Sequence, residues 1–167
     1  MSILSDVDLL SRFSNIIVSN RERSLINPAS IDIRVGTTLK EEKAASEWKD
    51  IPFANYSSDY YYQLMPGAFV LVATLEEIHI PNGFVGELKL KSSCARSGYD
   101  HSNAGYIDPG WRGIITMELR NNSRYTTLPL YPEMRVAQLV LHTLVRAAKN
   151  PYTGKYQHAK SVESAKP

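Results

Sequence analysis

The chain has 167 residues, enough for a single domain with a substantial hydrophobic core. Nineteen Lys and Arg against seventeen Asp and Glu give a formal net charge of +2, so no global field favours binding to nucleic acid or to an anionic membrane. No apolar run approaches the ~20 residues that span a bilayer, and the first residues lack the basic segment of a secretory signal. We therefore expect a cytoplasmic protein.

The first predicted element is an amphipathic helix. Ser5 followed by Asp8 is typical of a helix start, and apolar residues recur behind it at helical spacing. Short strands separated by turn clusters follow, and they are predicted at Ser30 to Val35, Phe69 to Leu75, Gly83 to Lys91, Gly113 to Arg120 and Met134 to Leu144. Strands punctuated in this way, without helices between them, predict a mainly β fold, either a sandwich or a barrel.

Two segments differ from this pattern. Residues 39–64 are polar and charged and end in three tyrosines, which predicts a long excursion with one or two extra strands. The tyrosines, residues 60–62, are expected to pack over the barrel or at an interface rather than to stack on a base. Residues 146–167 show almost no apolar periodicity. This segment is either a disordered end, which its composition favours, or a flap that becomes ordered when a ligand binds.

Two carboxylates lie around a turn and a strand in the stretch from His101 to Leu119. Asp108 belongs to an Asp-Pro-Gly turn, a rigid corner that could meet a ligand, although Asp is also common in turns for local reasons. Glu118 interrupts an apolar run, so its carboxylate must face water, find a partner or take up a proton. Strand alternation places Met117 and Leu119 on the face opposite Glu118. The alternative is therefore that Glu118 is an ordinary solvated charge on the outer face. Together the two acids suggest proton-transfer chemistry on a small molecule.

A candidate phosphate site follows the third predicted strand, in the segment KSSCARSG. Lys91 offers an ammonium, Ser92 and Ser93 offer hydroxyls, and Arg96 offers a guanidinium, all within a few residues of backbone amides in a turn. The alternative is a polar loop in which Arg96 forms an internal ion pair. The segment is not a Walker loop, so its sequence leaves both interpretations open.

Cysteine and histidine usage argues against a zinc-dependent enzyme. The single cysteine, Cys94, cannot form an intrachain disulfide, and no Pro-Cys-x-x-Cys pair supplies the ligands of zinc nucleobase deaminases. The four histidines show no metal-ligand spacing. Any deamination by this chain is therefore expected to proceed without zinc and without metal-ligating residues.

Taken together, six motifs resemble the dCTP deaminase family, which is similar in fold to trimeric dUTPases. They occur in the family's order and cover most of residues 26–157: INPASIDIRVG (26–36), PGAFVLVATLE (66–76), KSSCARSG (91–98), NAGYIDPGWRGIITMEL (103–119), LYPEMRVAQLV (130–140) and NPYTGKYQ (150–157). The resemblance implies a distorted β-barrel or jelly-roll of the dUTPase-like type with a short N-terminal helix. Residues 1–145 would form this domain, and residues 146–167 would form a tail that closes over the active site.

The resemblance also implies the roles of individual residues and the partners. Glu118 matches the glutamate that activates water for attack on carbon 4 of cytosine, and Asp108 matches an acid that helps position water for attack on the phosphate chain. The substrates would be dCTP and dUTP, with Mg²⁺ bridging the phosphate oxygens, in a homotrimer whose active sites are shared between subunits. The implied substrate-binding residues are Lys91, Ser92, Ser93, Arg96, Ala104, Tyr106, Gln138, Tyr152, Lys155 and Tyr156.

The implied function is deamination of dCTP to dUTP and ammonia. Whether hydrolysis of dUTP to dUMP and diphosphate follows is left open, although Ala104 and Gly105 resemble the bifunctional members, since monofunctional deaminases commonly carry His at the position of Gly105. The chain departs from the family at Ala159, where a second Gln is usual. The alternatives are a dUTP diphosphatase only, or a non-catalytic nucleotide-binding β-domain.

Overall fold

The computed structural model describes residues 2–45, 47–102 and 104–166. It contains two α-helices, α1 (Asp6–Ile16) and α2 (Ser92–Ser97), and two single-turn 3₁₀ helices at Arg23–Leu25 and Phe53–Asn55. The strands are β1 (Ile26–Asn27), β2 (Ser30–Ala44), β3 (Glu47–Ile51), β4 (Tyr62–Leu64), β5 (Phe69–His79), β6 (Phe84–Leu90), β7 (Tyr99–Asp100), β8 (Tyr106–Ile107), β9 (Arg112–Asn121), β10 (Leu128–Leu130) and β11 (Arg135–Thr143).

Nine of these strands form one antiparallel sheet in the order β7-β9-β5-β2-β11-β6-β8, with β1 and β3 also paired to β2, while β10 and β4 pair separately. The long strand β2 joins the two halves, because it pairs with β11 through residues 31–34 and with β5 at Val35 and, beyond a bulge, at residues 39–41. Bulges bend a strand and increase its twist, so the sheet curls into a distorted half-barrel. The predicted mainly β class is confirmed.

The N-terminal helix packs against this sheet. The Ser5 side chain accepts a hydrogen bond from the Asp8 N–H, and the Asp8 carboxylate accepts one from the Ser5 N–H. This capping box satisfies helix donors that would otherwise lack partners. Leu9, Phe13 and Ile16 are buried on one face of α1, so the apolar periodicity of the sequence corresponds to the contact with the core. No helix in the described part of the chain is long and apolar enough to cross a membrane.

Several elements differ from the prediction. The strand predicted at Ser30 to Val35 continues to Ala44, because residues 39–44 pair with β3 in the excursion that the charged stretch indicated. The segment Ser92–Ser97 is a short helix rather than a loop, and it ends at Gly98, whose φ of 109° is a left-handed conformation favoured by glycine. Residue 103, at the start of one of the quoted motifs, lies outside the described residues.

A buried ion pair links the two central strands. The Glu76 side chain on β5 has no exposed surface, and its two oxygens accept hydrogen bonds from the Arg34 backbone N–H at 2.9 Å and the Arg34 Nε at 2.7 Å. The guanidinium also donates to Glu22 Oε2 at 3.0 Å and to the Asn20 carbonyl at 2.8 Å. Each buried charge therefore has its own hydrogen-bonding partners, which a buried ion pair needs in order to be tolerated.

Candidate active site

A cavity of about 580 Å³ lies between one face of the sheet and the C-terminal segment. Strands β2, β3, β5 and β9 supply one side, and residues 156–165 supply the other. The walls combine three carboxylates with four aromatic rings, namely Glu42, Glu118, Glu163, Trp48, Phe69, Trp111 and Tyr156. A concave, largely apolar site with a few convergent polar groups is the usual form of a small-molecule pocket.

Glu118 is the most unusual group in this cavity. Strand alternation directs Met117 and Leu119 into the core, where both are fully buried, and directs Glu118 to the other face. That face is covered by the C-terminal segment, so Glu118 lines the cavity instead of meeting bulk solvent. Its Oε2 is buried without a hydrogen-bond partner among the described residues. Burial raises the pKa of the Glu118 carboxyl above its ordinary value, because the ionised form loses hydration.

The C-terminal segment docks along the free edge of β9. Strand β7 pairs only with the last two residues of β9, which leaves the earlier backbone groups on that edge available. The His158 N–H donates to the Arg112 carbonyl at 2.8 Å, and the Ile114 N–H donates to the Ala159 carbonyl at 2.9 Å. The Gln157 side chain accepts from the Arg112 N–H at 3.0 Å. The tail therefore behaves like a short added strand.

Ala159 occupies the position where the sequence departs from the family. It is 7 % exposed, and a Cβ built on Gly113 would lie 2.9 Å from the Ala159 nitrogen. The close approach is made by backbone atoms, so it needs glycine on the strand but no particular polar side chain on the tail. Val162 is also buried, against Leu71 and Ala73. The ordered tail differs from the disordered end that composition favours, because its docking depends chiefly on backbone hydrogen bonds.

The tail residues implied in substrate binding lie together. The Tyr152 ring packs 5.3 Å from the Trp111 ring, and Tyr156 lines the cavity. The Tyr156 hydroxyl accepts a hydrogen bond from the Lys166 N–H at 3.0 Å. The Lys155 ammonium lies 5.6 Å from the centre of the Tyr156 ring and donates to the Lys166 carbonyl.

A second cluster surrounds α2 at the end of β6. Lys91 Nζ lies 2.6 Å from Asp32 Oδ1, which also accepts from Asn27 Nδ2 at 2.8 Å. Because Asp32 is 3 % exposed, these contacts hold Lys91 at the start of the helix. Ser92, Ser93 and Arg96 are exposed there, and this group of hydroxyl, ammonium and guanidinium donors suits phosphate oxygens.

Two more predicted positions can be placed relative to this cluster. Gln138 lies opposite Asp32 in the register of β11 and β2, and its Nε2 donates to Ser30 Oγ at 3.2 Å. Cys94, on the inner side of α2, is buried in the core, where burial raises the pKa of its thiol. The exposed donors of this corner suit the phosphates of a nucleotide. A Mg²⁺ ion would be held there by those phosphates.

The structure does not bring the two clusters together within one chain. The described lining of the Glu118 cavity includes none of the five residues Lys91, Ser92, Ser93, Arg96 and Gln138. Glu118 and the cluster around α2, a candidate anion-binding corner, therefore lie in separate parts of a single subunit.

Asp108 and its neighbours lie beside the tail. Asp108 is exposed, and its turn contacts the tail through the Pro109 carbonyl, which accepts the Tyr152 N–H at 2.8 Å. Trp111, at the end of the turn, lines the cavity. Asp108 itself is not part of that lining.

The Ala104-Gly105 pair lies against β6. A Cβ on Gly105 would lie 2.2 Å from the Leu88 carbonyl oxygen, so this backbone position admits only glycine. Ala104 is exposed, and Tyr106 is 66 % exposed at the edge of a smaller pocket of about 280 Å³. His101 borders the same pocket, and burial lowers the pKa of its imidazole.

Comparison with known proteins agrees with the resemblance found in the sequence. A family model described as dCTP deaminase-like matches residues 3–144. The protein named dCTP deaminase, dUMP-forming, from Corynebacterium kroppenstedtii is 37 % identical over 162 residues, which cover 90 % of this chain and 86 % of that one. The protein of the same name from Methanosphaera stadtmanae is 33 % identical over 167 residues, covering 91 % and 84 %.

Solved structures confirm the dUTPase-like fold. The 2'-deoxycytidine 5'-triphosphate deaminase from Agrobacterium tumefaciens superposes with a TM-score of 0.70 at 17 % identity, covering 84 % of this chain. The chain spans about half of that protein, since the match covers 47 % of it. A mutant dUTPase from phage phi11 of S. aureus gives a TM-score of 0.54 at 18 % identity, covering 81 % of this chain and 90 % of that one.

Proposed function

The chain belongs to the dCTP deaminase-like family, and we propose that it hydrolyses dCTP to dUTP and ammonia and then cleaves dUTP to dUMP and diphosphate. The observation that carries the proposal is Glu118, a half-buried residue whose carboxylate Oε2 is buried without a hydrogen-bond partner among the described residues, in a cavity of about 580 Å³. The names of the relatives, dUMP-forming deaminases, support the two-step outcome. Such an enzyme consumes deoxynucleotides and so would act in the cytoplasm.

The proposed mechanism uses both protonation states of Glu118. As a carboxylate it takes a proton from water while the water oxygen bonds to carbon 4 of cytosine, and as an acid it returns protons to the departing amino group. The carbon–nitrogen bond breaks, ammonia leaves and a carbonyl forms, so dCTP and water give dUTP and ammonia. An acid of raised pKa suits this role, because it holds a proton more readily than an exposed glutamate and can therefore return that proton to the leaving group.

The anion-binding corner is proposed to hold the triphosphate. Lys91, Ser92, Ser93 and Arg96 would bind the phosphate oxygens, with Gln138 nearby, and Mg²⁺ would neutralise the phosphates when bound. In a homotrimer, this corner of one subunit would face the Glu118 cavity of a neighbour. The separation of the two clusters within one chain supports shared sites, since neither cluster alone would hold both ends of a nucleotide.

Residues 146–167 are proposed to close the site over the barrel domain formed by residues 1–145. Tyr152, Lys155 and Tyr156 would then lie next to the bound phosphates, with Ala104 and Tyr106 also in contact with the nucleotide. Asp108 would position water for attack on the phosphate chain in the second step. Changing Asp108 to Asn should therefore let dUTP accumulate from dCTP.

One assay tests the proposal. The protein is incubated separately with dCTP and dUTP, with Mg²⁺ present and zinc chelated, and the products are resolved by chromatography. We expect dUMP from both substrates and ammonia from dCTP only, while Glu118→Gln should lower deamination by about 10²–10⁴-fold and leave triphosphate binding intact. Cleavage of dUTP alone would instead identify a diphosphatase, and binding without turnover would identify a non-catalytic domain.

Mixing variants tests the shared site. Glu118→Gln and Arg96→Ala subunits should each be inactive alone, whereas trimers reassembled from both should recover deamination, because some sites would combine an intact acid with an intact corner. Reassembly of two Glu118→Gln samples is the matched control. Failure of the mixed trimers to recover activity would contradict sites built from two subunits.

A further inference from the structure

We propose that Thr38 and Thr116 are positioning residues for the reaction, which together hold the end of the tail against the sheet so that it closes the Glu118 cavity. The effect on turnover depends on the proposed function. The docking of the tail does not depend on it and can be measured without substrate.

The two threonines bind consecutive residues of the tail. Thr116 Oγ1 accepts a hydrogen bond from the Glu163 N–H at 2.9 Å, and Thr38 Oγ1 accepts one from the Val162 N–H at 3.2 Å. Thr116 lies on β9 and Thr38 on β2, which are separated in the sheet by β5. The tail end is therefore fixed at two points on opposite sides of the intervening strand.

The apolar contact between these points is set by strand register. Thr116 lies directly opposite Ala73 and Glu118 directly opposite Leu71 in the pairing of β9 with β5, and directly opposite residues share a face of the sheet. Val162, 6 % exposed, packs on Leu71 and Ala73. The anchored tail end is thus placed next to Glu118.

Side-chain acceptors are needed here for a geometric reason. At residues 158 and 159 the tail extends the edge of the sheet and uses backbone partners, but at Val162 and Glu163 it crosses the face, where the strand backbone groups are already paired with neighbouring strands. A tail N–H over the face needs an acceptor that stands up from the sheet. A threonine hydroxyl fits, because the branched side chain has few rotamers and holds the oxygen in place.

The two threonine hydrogen bonds, which together form a latch on the tail, determine what surrounds Glu118. The other titratable groups that line its cavity are Glu42 from β2 and Tyr156 and Glu163 from the tail, and Lys166 forms an ion pair with Glu163. Releasing the tail would remove the two tail groups and admit water to Glu118. Its carboxyl would then titrate closer to a free glutamate, so the pH profile reports on the latch.

Limited proteolysis of the unliganded protein tests the docking directly. Lys160 is exposed, but cleavage there needs several flanking residues to detach. Thr116→Val removes one hydrogen bond while keeping the shape, so trypsin should release the tail about fivefold faster than in the wild-type protein. Thr116→Ser should restore the wild-type rate. Thr143→Val, on β11 and bonded to Ser2, is the matched control and should not change it.

Kinetics then connect the latch to the reaction. Thr38→Val is the sharper variant, because Thr38 is not part of the described cavity lining. It should lower kcat/KM for dCTP by about the same factor as Thr116→Val and move the acid limb of the kcat profile to lower pH. Unchanged cleavage and an unchanged pH profile in both valine variants would overturn the proposal. If the wild-type protein does not deaminate dCTP, the proposed function fails, while the proteolysis result still decides the latch.

Discussion

Two glutamates on adjacent strands of the same sheet, the buried Glu76 and the half-buried Glu118, have opposite surroundings. Glu76 on β5 receives two hydrogen bonds from Arg34, whose guanidinium is itself held by further acceptors. Glu118 on β9 has one oxygen buried without a partner among the described residues, and no described cation lines its cavity. Burial raises the pKa of both carboxyls, but Arg34 opposes that effect at Glu76 by stabilising its ionised form, whereas no described cation does so at Glu118.

The difference separates stability from chemistry. The partners of a paired buried carboxylate stabilise its ionised form, which opposes the uptake of a proton. A carboxylate with a buried, unpaired oxygen reduces stability, yet it takes up a proton more readily than a paired one. We therefore expect substitutions at the two sites to act in opposite directions.

The largest expected effect comes from breaking the ion pair between Arg34 and Glu76. Arg34→Met would leave Glu76 buried without its cation, which should lower the free energy of unfolding by about 3–5 kcal/mol. Urea unfolding followed by circular dichroism measures this loss. Arg124→Met, at an exposed arginine, is the control and should change stability by less than ~0.5 kcal/mol. If the free energy of unfolding changed as little in Arg34→Met as in the control, the ion pair would not contribute to the stability of the fold.

The next effect concerns the pH dependence of turnover. Burial raises the pKa of Glu118, so on the acid side the enzyme loses the carboxylate that accepts a proton from water. The value of kcat should fall about tenfold per pH unit below that pKa. Its midpoint should lie above the pKa of a free glutamate. Initial rates of ammonia release across the acid range check this, and a midpoint at the ordinary value would show that Glu118 is solvated.

A smaller effect of opposite sign to Arg34→Met is expected for the stability of Glu118→Gln. A carboxyl with a raised folded-state pKa makes the folded protein less stable as pH rises above the carboxyl pKa of the unfolded chain. Removing the charge should therefore raise the free energy of unfolding at neutral pH by about 1 kcal/mol. The gain should disappear at pH values below the unfolded-state pKa. Paired urea titrations at both pH values test the sign, and destabilisation at neutral pH would contradict it.

The smallest effect concerns the cover over Glu118. Gly113 has a φ of 152°, and an added Cβ would lie 2.9 Å from the Ala159 nitrogen, so Gly113→Ala should loosen the tail and speed its tryptic release a few-fold. Gly67→Ala is the matched control, because its φ is also positive but no atom lies within 4 Å of the added Cβ. Equal tail release in both variants would show that Gly113 does not govern docking.

The sequence predicted features that depend on local patterns. Ser5 and Asp8 indicated the helix start, and alternation at residues 117–119 correctly placed Glu118 on the face opposite the core. The alternation could not show that the C-terminal segment covers this face, because the tail docks through backbone groups that composition does not report. The partners of Glu76 were equally hidden, since Arg34 lies 42 residues earlier in the chain.

The candidate site residues were easiest to select where they lie together in a short motif. The side chains from Lys91 to Gly98 indicated either a phosphate site or a polar loop, and they did not indicate the short helix that the segment forms. The sequence did not indicate that Thr38 and Thr116 contact the tail, because threonine is an ordinary strand residue. Only the register that places these residues beside the tail reveals their contacts.

The hydrogen bonds between the tail and β9 also bear on solubility. Arg112 and Ile114 present backbone groups along an edge that β7 leaves uncovered, and such an edge is a template for pairing with another polypeptide. A chain shortened before His158 would bare that edge together with the apolar floor made by Leu71 and Ala73. Residues 158–166 are therefore expected to protect this edge from aggregation, in addition to lining one side of the cavity.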